Sequence, residues 1–143
     1  KDEELSVPEN VYLLGMMNTA DRSLAMMDYA LRRRFSFFDV EPAFAKLAFK
    51  EHLRTYIHDG LIVDKVISRL TDLNTKIADE NNSGLGKGFC IGHSYFCVEP
   101  VEGQAEKDWY KSIIQYEICP LLDEYWWDDK AKADDCKKEL LKD

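Results

Sequence analysis

Two stretches in the first forty residues of this 143-residue chain read as β-strands, and two strands do not make a sheet that stands alone. Val11-Tyr12-Leu13-Leu14-Gly15-Met16-Met17 is nearly continuous in apolar residues and follows Pro8, the pattern of a strand covered on both faces in a parallel sheet. Phe35-Ser36-Phe37-Phe38-Asp39-Val40 is the second, ending at Pro42. Between them Leu24, Met27 and Leu31 follow a helical spacing, a helix of about two turns that Asp21 or Ser23 can cap. Parallel neighbours need crossover helices that the chain does not supply in sufficient number, so the other strands of such a sheet are expected to lie outside it. The first strand arrives within a few residues of the start, which agrees with a piece of a longer protein.

From Ala43 onward the periodicity is helical. Phe44, Leu47, Ala48, Leu53, Tyr56 and Ile57 share one face, Asp59-Gly60 breaks the run, and Val63, Val66, Ile67, Leu70, Leu73 and Ile77 predict a long amphipathic helix. "ENNSGLGKGFCIGHSYFCVEPVEG" is a loop by its Gly and Asn content, with Phe89 to Ile91 and Tyr95 to Val98 as short strands or tight turns. Trp109, Ile113, Tyr116 and Ile118 begin another helix, which Pro120 either kinks or restarts, and Leu121, Leu122, Tyr125 and Trp126 continue its apolar face. A polar helix from Lys130 to Leu141 closes the chain. The expected class is therefore mainly α with a small α/β portion, divided into residues 5–40 and 41–143.

Charge narrows the partners. A formal net charge of −8 argues against a nucleic-acid backbone as the main partner, because phosphate contacts need clustered Lys and Arg. Cys90, Cys97, Cys119 and Cys136 have neither paired spacing nor a matching His pattern for zinc, and read as free buried thiols. No apolar run reaches the length of a membrane span and the start is charged, so no membrane partner and a cytoplasmic location are expected.

Against that acidic background one basic run stands out: Arg32, Arg33 and Arg34, placed between a helical turn and three phenylalanines. Successive helical residues point about 100° apart, so at most two of the three face one target. Cations at a helix C-terminus oppose the dipole by roughly 0.3–1 kcal/mol each, which accounts for one or two of them. A guanidinium beside a phosphate can instead stabilise developing charge in phosphoryl transfer. Asn18 ends the first predicted strand, where open α/β sheets build their ligand sites, and its amide can hold a water with its oxygen and a phosphate with its nitrogen; the alternative is a plain turn residue. Asp21 and Arg22 add an acceptor and a cation within a turn of it. His93-Ser94 sits in a Gly-flanked turn that serves equally as a ligand contact or as a self-satisfied loop. Trp109, Trp126 and Trp127 read as core and interface aromatics rather than stacking platforms.

"MNTADRSLAMMDYALRRRF", from Met17 to Phe35, resembles the AAA+ nucleotide hydrolases and specifically the McrB family, the GTP-hydrolysing motor of modified-cytosine restriction systems. "IGHSYF" from Ile91 and "EICPLLDEYWWDD" from Glu117 resemble that family's C-terminal lid. The resemblance implies the C-terminal part of an AAA+ module, its last core strands plus a helical lid. It makes Asn18 sensor 1, lets Asp21 and Arg22 complete the NTADR signature, gives Arg33 and Arg34 to a neighbouring subunit's nucleotide, and sets His93 and Ser94 where the lid approaches the nucleotide. It further implies a ring of such subunits, GTP or ATP with magnesium as ligands of the whole protein, a nuclease subunit of McrC type, and DNA contacts through other domains.

The departures limit what this chain does by itself. "GLGKGF" lacks the Gly spacing of a phosphate loop and has Gly88 where the hydroxyl belongs, and no acidic strand motif for magnesium is present. The chain alone is expected to bind no nucleotide tightly and to hydrolyse none. An ATP-driven remodeller of the MoxR or dynein-like branch, and a non-enzymatic helical interaction module, are the alternative readings.

Overall fold

The computed structural model describes residues 8–17, 29–79, 81 and 85–142. Its helices, in chain order, are α1 (Tyr29–Arg32), α2 (Leu47–Leu53), α3 (Gly60–Ala78), α4 (Glu106–Ile113), α5 (Cys119–Tyr125) and α6 (Lys130–Leu141). A π-helical turn, Ile114–Ile118, joins α4 to α5, and two 3-10 turns, Lys87–Phe89 and His93–Phe96, punctuate the loop after α3. The described residues contain no strand.

Both expected strands therefore appear as irregular chain, outside any sheet among the described residues. The apolar side chains of 11–17 and 35–40 are exposed, as a strand must be when the sheet that would cover it is not there to donate and accept hydrogen bonds. The helix expected between them is seen only in its last turn, α1; the rest lies outside the described residues, as do Asn18, Asp21 and Arg22.

Asp59 fixes where α3 begins. Its carboxylate accepts from the Leu61 amide at 2.8 Å, an N-cap directly ahead of Gly60, and the Glu106 carboxylate accepts from the His58 and Asp59 amides at 2.8 Å each. From there Ile62, Val63, Val66, Leu70, Leu73 and Ile77 turn one stripe into the core. In α2 the buried pair is Phe49 and Leu53, whereas Leu47, expected on the apolar face, is exposed, because the helix starts only at Leu47 and its buried face is set from Phe49.

The π turn changes which residues of the next rod are buried. Pro120 has no amide to give the Tyr116 carbonyl, and the π-helical register occupies the turn where that donor is missing, with the Cys119 amide reaching back to the Ile114 carbonyl. Tyr116, expected on the apolar face, consequently points outward and is 75% exposed, while Ile114, Ile118 and Leu122 enter the core. Asp129 caps α6 by accepting from the Lys132 amide at 3.1 Å, and Ala133, Cys136 and Leu140 are its buried residues. At the far end of α6 the Tyr110 hydroxyl donates to the Leu140 carbonyl at 2.8 Å, and the Arg69 guanidinium donates to the Leu140 and Lys142 carbonyls. These bonds satisfy acceptors that a helix C-terminus leaves open. Among the described residues all the buried core residues fall between Phe44 and Leu140.

Candidate functional site

Ile91 to Phe96 is held at its two ends by side chains that reach its backbone. Asn74 on α3 both donates to the Ile91 carbonyl at 2.9 Å and accepts from the Ile91 amide at 2.6 Å, pairing with the chain as a neighbouring strand would. The Tyr56 hydroxyl donates to the Phe96 carbonyl. Between these fixed ends, His93 accepts the Ala43 amide on Nδ1 at 3.1 Å. An imidazole that accepts on Nδ1 is neutral there and carries its proton on Nε2. The His93 ring meets Phe49 edge-on with centroids 5.4 Å apart and Phe44 at 6.4 Å.

Ser94 faces the other way. It lines a groove of about 510 Å³ whose wall includes Tyr95, Val98, Trp109, Ile113 and Glu117, with Glu99 beside them. Two carboxylates on one groove set a negative field that opposes a phosphate group. The Trp109 indole is fixed there by donating to the Val98 carbonyl at 2.8 Å. Trp109 and Trp126 are core residues, and Trp127 is exposed.

Arg33 and Arg34 follow on α1 and are exposed together with the phenylalanines after them. Arg32 is distinct: its guanidinium lies over the Phe37 ring at 5.7 Å. That contact engages one of the three arginines within its own segment. The four cysteines are free, as expected, but only Cys136 is buried; Cys97 is exposed and Cys90 and Cys119 are half-buried. Burial pushes the Cys90, Cys119 and Cys136 thiols up, away from the thiolate that metals and electrophiles need.

Over 143 residues, 99% of its length, this chain is 46% identical to the Type IV methyl-directed restriction enzyme EcoKMcrB subunit of Escherichia coli strain K12. Residues 65–134 match the family described as McrB, alpha-helical lid domain. The chain belongs to the McrB family. It spans 31% of the length of that McrB relative. The lid match runs from the first turns of α3 into α6, so it contains Asn74, His93, Ser94 and Glu106, whereas the similarity to the McrB subunit also takes in the arginine segment.

Asn74 and Glu106 carry no motif and were not singled out by sequence, and Tyr56 was read only as part of an apolar face. Asn74 left a trace as an amide four residues after Leu70 on a face that otherwise reads apolar. Among the described residues no group of His, Cys, Asp and Glu is arranged to hold a metal ion, and no helix is long and apolar enough to cross a membrane.

Proposed function

We propose that this chain is the sensor, arginine and lid portion of an AAA+ nucleotide hydrolase of McrB type, acting in a ring that drives restriction of modified DNA with a separate nuclease subunit. The observation that carries this reading is the 46% identity across 99% of the chain to a methyl-directed restriction subunit. Residues 5–40 form the end of the α/β core in this reading, and 41–143 form the lid. The substrate is GTP, with ATP the alternative. Its phosphates and magnesium are held by a phosphate loop and acidic strand from the rest of the motor, since neither motif occurs in this sequence. DNA is contacted by other domains, in keeping with the net charge of −8.

Each residue then has a distinct task. Asn18, with Asp21 and Arg22 beside it, orients the attacking water through an amide that does not titrate. Arg33 and Arg34, exposed at the end of α1, reach the phosphates bound by the adjacent subunit, where a fixed guanidinium opposes the charge that develops during transfer. Arg32, over Phe37, steadies the segment that carries them. At the His93-Ser94 turn a contact to the base or sugar of a nucleotide, rather than to its phosphates, is left to Nε2 of His93 or the Ser94 hydroxyl, because Nδ1 is taken by Ala43 and Glu99 and Glu117 share the groove.

A mixed-ring experiment tests this. In the full-length motor, Arg33→Ala and Arg34→Ala are expected to lower turnover by about tenfold or more with nucleotide affinity nearly intact, the mark of a contact made chiefly in the transition state. Mixed with a phosphate-loop mutant, either variant should regain part of the activity, because good arginines then meet good loops at some interfaces. No recovery in verified mixed rings would refute action in the neighbouring subunit.

A further inference from the structure

Exposure along the chain changes abruptly over four residues. Val40 is 91% exposed and Phe44 is 2% exposed, so the chain is unsupported by the core up to Glu41 and fixed from Phe44. Phe44 is locked by edge-on contacts with Phe49 at 5.4 Å and Phe96 at 6.0 Å. Pro42 has no amide, so Ala43 carries the first backbone donor at this anchor, and that donor goes to Nδ1 of His93. A pivot needs a rigid bearing on one side. Here the bearing is the Ile91–Phe96 turn, held at its two ends by Asn74 and Tyr56.

We propose that His93 is a positioning residue: through Nδ1 it latches Ala43 and so fixes the pivot from which the segment carrying Arg33 and Arg34 leaves the helical domain. Phe44 resists translation by its packing, but a buried ring does not set the direction of the backbone ahead of it. The directional bond to the Ala43 amide does. Release of the latch leaves Ala43 held by its half-buried side chain and by the Lys46 amide on its carbonyl at 2.9 Å, so the chain ahead reorients about Pro42 while the core from Phe44 onward stays in place. The consequence for the arginines rests on the function proposed above; the latch itself does not.

Two substitutions separate the bond from the packing. His93→Phe keeps a ring against Phe44 and Phe49 and removes the acceptor, whereas His93→Asn places an amide oxygen near the position of Nδ1. In this chain the Ala43 amide should exchange about fivefold to tenfold faster in His93→Phe than in wild type, with the α3 amides of Val66 and Leu70 unchanged, and His93→Asn should restore most of the protection. Unchanged exchange at Ala43 in His93→Phe, or equal loss in both variants, would overturn the latch. Nitrogen NMR of wild-type His93 decides independently should the Phe variant not fold: an unprotonated Nδ1 and protonated Nε2 are expected, and the reverse tautomer sinks the proposal. In the full-length motor the same pair should differ in kcat, His93→Phe lowering it and His93→Asn recovering it, whereas any change in KM for GTP from the loss of Nε2 should be common to both. A latch that holds in the exchange experiment with no kcat effect would remove the link to the arginines. Failure of the mixed-ring experiment alone would instead remove the motor reading and leave the latch intact.

Discussion

Two tyrosines, Tyr110 buried and Tyr56 half-buried, show how a hydroxyl drawn out of water ties the fold to pH. Tyr110 is pushed up to about 12 chiefly by burial, with the Cys119 thiol adding to the shift and Arg69 opposing it, and Tyr56 is pushed up to about 12 by burial and then by Cys97 and Glu99. Each folded value lies above the ordinary phenol value of about 10, so the folded chain keeps protons that the unfolded chain gives up. The stability these groups contribute is therefore complete below about pH 10 and is lost as pH rises from about 10 through about 12. Alkaline titration followed by tyrosinate absorbance and circular dichroism should show exposed tyrosines ionising first, and Tyr56 and Tyr110 only together with loss of helix. Reversible ionisation of all seven tyrosines near pH 10 with the helices intact would contradict the assignment. Neither hydroxyl's partner was legible in the sequence. Tyr56 bonds a carbonyl forty residues away and Tyr110 one thirty residues away, and such contacts exist only once the helices have packed.

At the scale of elements, local chemistry and tertiary chemistry part company. The start of α3 at Asp59-Gly60 and the limits of α6 were legible because capping and apolar spacing act within a few residues of one another. The π turn was not. Its signal, Pro120, was read as a kink or a restart, and the extra residue in the turn carries Tyr116 out of the face its spacing suggested. The candidate site divided in the same way. The arginine run and the His93-Ser94 turn were visible as residue types, but the bond from Ala43 to His93, fifty residues apart, was not. Glu106 offers a direct measure of such a contact. Its carboxylate takes two amides at the start of α3 from its own place in the first turn of α4, and so favours both helix dipoles. Glu106→Ala should lower stability by about 1–2 kcal/mol, and Glu106→Gln, which keeps one acceptor, by less, read as a lower urea midpoint with unchanged slope. Equal stability of all three proteins would mean that water replaces the carboxylate without loss.

For the whole molecule the decisive feature is the contrast between a complete helical core and an apolar leader outside it. Among the described residues every buried core residue lies between Phe44 and Leu140, while Tyr12, Leu14, Met16 and Val40 are more than nine-tenths exposed and Phe38 nearly as much. Apolar surface left in water contributes nothing to the stability of the fold and favours association with other copies or with a missing sheet. Deleting residues 1–40 should therefore leave the unfolding free energy unchanged within about 0.5 kcal/mol, because the described side chains among them at 8–17 and 32–40 are exposed. The denaturant slope should also hold, since it follows the area exposed on unfolding. Sedimentation should find the shortened chain monomeric at concentrations where the full chain self-associates. A loss above about 1 kcal/mol, or a clearly smaller slope, would mean that the first forty residues bury surface against the helices in solution. That result would move the boundary between the two parts away from Ala43, and with it the pivot that His93 holds.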